Sequence, residues 1–153
     1  MKIGGHDLSQ YIRLLAPLFA LIAAVWALRL VLDAAGAPSV LVRSCSVNAA
    51  VAVSVLIATL LIYFRRFGSY LSVVVTAFLL AGWKELLIVA AMTFTALSGI
   101  GTVYDAPEFS RHMTFSHHVI AHLTFGLGFG ELFGAATGCL LLWLLRRLAP
   151  PTG

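Results

Sequence analysis

The chain has 153 residues, 61% of them hydrophobic and only 10% charged, with a mean hydropathy of +1.00. Soluble domains carry about 25% charged residues, and no water-soluble fold of this size has room to hide so much apolar surface, so the composition belongs to the membrane class. The formal net charge of +4 is too small and too scattered to describe a nucleic-acid-binding surface.

Four apolar runs follow one another along a single transmembrane domain, residues 1–153: about 14–32, 46–64, 70–97 and 119–145. Each reaches the roughly 17–25 residues that span a bilayer as a helix. Lipid leaves backbone amides no outside partner, so helices are the expected form. The short alternating segments of a β-barrel are missing. The fold expected is an all-α bundle of four transmembrane helices. Lys2 and Arg13 precede the first run, but that run is longer than the ~7–15 residues of a signal-peptide core, so it reads as a retained helix.

Basic residues set an expected orientation. Lys2 and Arg13, Arg65 and Arg66, and Arg146 and Arg147 fall on one side of a four-span chain. The positive-inside rule makes that side cytoplasmic, with both termini inside, as in a bacterial cytoplasmic membrane protein. Two connectors are short. The third, "GIGTVYDAPEFSRHMTFS" (99–116), is a longer outer loop, and longer loops more often carry function. Cys45 and Cys139 fall more than ~20 Å apart in depth by helical rise, too far for a disulfide. Trp83 falls mid-span, away from any interfacial aromatic belt.

Three groups of residues interrupt the apolar pattern. Lys84 and Glu85 lie near the middle of the third run, and Glu131 near the middle of the fourth. A charge at that depth costs at least about 2.5–3.5 kcal/mol and has to face the bundle interior. The antiparallel arrangement suggests a Lys84–Glu131 ion pair, with Glu85 as an additional carboxylate. The set reads either as a structural lock or as a relay for protons or ions.

His118 and His122 stand four residues apart, which puts both imidazoles on one helix face at metal-ligand spacing. His112, Glu108 and Asp105 in the preceding loop are further candidate ligands. The metal expected is a divalent transition ion. "HVIAH" shares the histidines of H-E-x-x-H but has Val119 in place of the glutamate, which counts against a zinc-peptidase helix. Heme is disfavoured, because all histidines but His6 gather at one helix start and none faces them from another span. Without a metal they read as polar groups at the interface.

Gly126, Gly130, Gly134 and Gly138 follow His122 at strict intervals of four, with Gly128 beside them. Glycine lets helix backbones approach closely where lipid supplies no hydrophobic drive, so the stripe reads as a helix-packing face. Three functions follow as expectations. The first is translocation of protons, ions or a small solute by an oligomer, through Lys84, Glu85 and Glu131. The second is a metal-binding membrane protein or enzyme using the outer histidines, although the sequence favours no reaction. The third is a non-catalytic assembly or lipid-binding subunit. The partners implied are the lipid bilayer and either further copies of the chain or other membrane subunits.

Overall fold

The structure, a computed structural model, describes residues 2–104 and 114–148. A two-residue β-hairpin, β1 (Lys2–Ile3) and β2 (His6–Asp7), precedes helix α1 (Leu8–Ala34). A short helix α2 (Ser39–Ser44) leads into α3 (Val47–Phe64), and α4 (Tyr70–Ser98) follows. The last span is α5 (Phe115–Ala121), a π-turn (His122–Gly126) and α6 (Leu127–Leu148), which run as one continuous rod. The stretches Leu8–Ala34, Ser39–Phe64, Tyr70–Ser98 and Phe115–Leu148 are each long and apolar enough to cross a membrane.

The first and last spans start earlier than hydropathy alone suggests, because polar caps rather than apolar residues define helix ends. Asp7 and Gln10 form a capping box, with the Asp7 amide donating to Gln10 Oε1 at 2.8 Å, so α1 begins at Leu8 rather than near 14. Thr114 accepts the amide of His117 and starts α5 at Phe115. Ser46 does the same for α3 through the amide of Ala49. Gly99, at φ 72°, closes α4 in the left-handed conformation that glycine adopts without strain.

α4 is the hub and packs against α1, α3 and α6. Its buried residues recur at intervals of three and four, from Ser72 and Val73 through Ala77, Leu80 and Ala81 to Lys84 and Glu85. Tyr11, Leu15 and Ile22 of α1 and Val55 and Ala58 of α3 complete the core on either side. Trp83 is no belt residue. Its indole donates to the Phe19 carbonyl at 3.1 Å and ties α4 to α1 inside the bundle. Cys45 and Cys139 are both free thiols.

The glycine stripe packs against α4 in strict antiparallel register. A Cβ at Gly130 would stand 3.3 Å from Ala81 Cβ, one at Gly134 3.2 Å from Ala77 Cβ, and one at Gly138 2.6 Å from Val73 Cγ1. Every step of four along α6 meets a step of four along α4. The i±4 ridges of the two helices therefore interlock, and the drift of the stripe around α6 is matched by the same drift on α4. Gly128 points elsewhere, with nothing within 4 Å of its Cβ position.

The two ends of the bundle differ. At the hairpin end, His6 stacks on Phe67 with ring centroids 3.7 Å apart. Tyr11 donates from its hydroxyl towards Ile3 O and Ser72 Oγ, both at 3.0 Å. The hairpin thus closes over the α3–α4 turn. At the loop end, α2, Val103 and Tyr104 after α4, and the α5 residues His118 and Ala121 border an open chamber.

The packing predicts an asymmetry between glycines. Gly138→Leu is expected to destabilise the fold by roughly 1–3 kcal/mol through overpacking, while Gly128→Leu leaves it unchanged; thermal unfolding of both variants in detergent, followed by circular dichroism, checks this.

Candidate functional site: a buried Lys–Glu–His cluster

α4 carries Lys84 and Glu85 into the core, where the two side chains are 9% and 1% exposed. Adjacent helical residues ordinarily diverge by about 100°. Here both long side chains turn towards the junction of α3 with the last span, and Lys84 Nζ lies 2.5 Å from Glu85 Oε1. The contact is one of charge, since Oε1 accepts no aligned hydrogen bond. Lys84 donates instead to Asn48 Oδ1 on α3 at 3.2 Å. The other carboxylate oxygen, Oε2, lies 2.9 Å from His122 Nδ1.

The last span is shaped around this carboxylate. Gly126 faces Glu85 directly, and a Cβ there would fall 2.8 Å from the carboxyl carbon. The π-turn inserts one extra residue per turn between His122 and Gly126. It lies between the histidine that meets the carboxylate and the glycine that makes room for it. His118 sits one turn further, buried, with its ring centroid 5.1 Å from that of His122.

The expected Lys84–Glu131 pair does not form. Glu131 follows Gly130, and Gly130 faces Ala81 of α4. One residue of helical rotation, about 100°, turns the glutamate off the α4 face. It is half-buried on the flank of α6 and joins no ion pair or hydrogen bond among the described residues. The partner of Glu85 is His122 instead. Asn48 is the other residue that the sequence reading missed. A lone amide early in an apolar span was its only signal. Of the remaining candidate metal ligands, Glu108 and His112 lie outside the described residues, as does Asp105. Among the described residues no three His, Cys, Asp or Glu side chains gather around a metal-sized centre.

A chamber of about 880 Å³ opens at the loop end above the cluster, and His118, His122 and Asn48 are on its wall. Arg29 and Asp33 of α1 and Arg43 of α2 line its rim, with Tyr104 beside them. The Arg29 guanidinium lies over the Tyr104 ring at 5.1 Å. Burial pushes the Tyr104 phenol up to about 12, against the opposing pull of Arg29.

The chemistry available is that of a shared proton. Glu85 and His122 are joined by one hydrogen bond, and the Lys84 ammonium lies against the same carboxylate as its counter-charge. No protein-family model, curated protein or solved structure matches this chain, so the reading rests on the geometry.

Removing one member of the buried pair leaves an uncompensated charge. Lys84→Met alone is expected to cost about 3–5 kcal/mol. The double change Lys84→Met with Glu85→Gln is expected to recover most of that loss. A double-mutant cycle by denaturant unfolding in micelles measures the coupling.

Proposed function

We propose that this chain translocates protons, or a small solute linked to them, with Glu85 and His122 as the proton-carrying pair and Lys84 as the compensating charge. The observation that carries this reading is the His122–Glu85 hydrogen bond. It links a carboxylate that is 1% exposed to a histidine on the chamber wall. An intramembrane ionisable group reached from one side of a bundle is a functional hypothesis by default. With the basic residues inside, the chamber opens outward.

Polar groups continue towards the hairpin end. Ser54 and Thr76 are fully buried, with no hydrogen-bond partner for their hydroxyls among the described residues. The Tyr11–Ser72 hydrogen bond follows them. Between Lys84 and Thr76, about 12 Å of helical rise, α4 presents Ala81, Leu80 and Ala77 to the core. That apolar section closes the bundle below the cluster and favours a gated carrier over an open pore. Glu131, half-buried and unpaired within the described residues, is suited to contact a second copy, because a carboxylate at membrane depth needs a partner.

The test is flux in proteoliposomes under an imposed pH gradient. Glu85→Gln and His122→Gln are each expected to reduce it by about tenfold or more, as loss of a positioned proton-transfer group does. Glu131→Gln is expected to retain it within about twofold, a small change on the same scale. Unchanged flux in both of the first two variants, with protein folded and monodisperse, rejects the reading.

A second reading has one observation in its favour. Glu85 holds His122 through Nδ1, as a carboxylate orients a metal-binding histidine, and the His118 ring centroid lies 5.1 Å from that of His122. If this is a divalent-metal site, gently purified protein carries stoichiometric metal by elemental analysis, and the double variant His118→Ala with His122→Ala loses it. Metal-free wild-type protein counts against it.

A further inference from the structure

A second cavity, of about 490 Å³, lies next to the chamber. Asn48, Phe125 and Gly126 border both, so the two spaces are neighbours at the cluster. The lower one is a slot between α3 and the last span. Val51 and Val55 form one wall, Phe129 and Phe133 the other, and Gly130 and Gly134 keep its floor low. Lys84 stands at its head. The slot is open to the side: Phe129 is 63% and Phe133 69% exposed, on helices apolar enough to lie in lipid. From Phe125 to Thr137 it follows the last span for about 18 Å, more than half of the ~30 Å hydrocarbon thickness.

The chamber above has the opposite chemistry. Among the described residues, Arg29 and Arg43 line it with one carboxylate, Asp33, while Glu85 behind it is already matched by Lys84. The Arg29 guanidinium is held over the Tyr104 ring at the chamber wall, and Arg43 lines the same space. Two guanidinium groups leave the described lining with an excess of positive charge, and guanidinium is the side chain best matched to phosphate. A polar, cationic chamber next to an apolar slot that opens to the bilayer has the shape and polarity of one amphiphile.

We infer that chamber and slot together bind an anionic phospholipid from the membrane. Its phosphate lies between Arg29 and Arg43, one acyl chain occupies the slot along Val51–Val55 and Phe129–Phe133, and the second chain remains in the bilayer. This deepens the translocation reading by naming the chemical class that occupies its chamber. It is tested without a gradient, so the two fail separately.

The experiment is native mass spectrometry of the purified full chain exposed to phosphatidylglycerol or to phosphatidylcholine with identical chains. Phosphatidylglycerol is expected to be retained about tenfold more, the scale of a charge-assisted contact. Arg29→Gln with Arg43→Gln should bring it down to the phosphatidylcholine level. Ala52→Trp, which fills the slot from its exposed edge, should reduce retention of both lipids. Val53→Trp on the adjacent lipid-facing surface should not. Glu85→Gln should keep lipid retention even where it abolishes flux. Equal retention of the two lipids overturns the inference, as does full retention in the double arginine variant. So does displacement of phosphatidylglycerol by glycerol 3-phosphate when Ala52→Trp binds as wild type does, because that marks a soluble-anion chamber with no role for the slot.

Discussion

The close approach of α6 to α4 is the constraint on which the rest depends. In lipid, helix association draws little from the hydrophobic effect and relies on packing and interhelical polar contacts. Gly130, Gly134 and Gly138 remove side chains from one face of α6 so that Ala81, Ala77 and Val73 can press against its backbone. This fixes the register of the two helices. It also decides which polar residues meet: Gly126 arrives opposite Glu85, His122 arrives one turn above it, and Glu131 is turned aside.

The register also makes a buried carboxylate tolerable. Glu85 sits where an unpaired charge would cost several kcal/mol. A neighbour on its own helix, Lys84, compensates it, and a histidine from the last span accepts or supplies the proton between them. Asn48 from α3 holds the ammonium. Three of the four spans therefore contribute to one cluster, and α1 contributes the chamber rim through Arg29 and Asp33. The site belongs to the bundle as a whole, which ties its geometry to folding.

Chamber and slot arise from the same packing. Gly134 and Gly138 bring α6 close to Val55 and Thr59 of α3 as well as to α4, and Gly130 and Gly134 leave the floor of the slot without side chains. Cluster, chamber and slot are neighbours at Asn48, Phe125 and Gly126. A ligand in the chamber would touch His122, and one in the slot would touch Lys84.

Much of this architecture is legible in the residues themselves. Four apolar runs of spanning length, the buried Lys84 and Glu85 and the four-residue glycine stripe follow from composition and spacing, because hydropathy and helical periodicity are local properties. The helix starts at Leu8 and Phe115 were readable in principle from Asp7–Gln10 and Thr114, since caps are local too. The partner of each charge was not. Equal depth along two helices leaves the rotation of each undetermined, and 100° per residue separates a buried pair from a lipid-side flank. Only the packed structure set that angle. It put the glycine face of α6 on α4, brought His122 rather than Glu131 to Glu85, and brought Asn48, two spans distant from His122 in sequence order, to the same point.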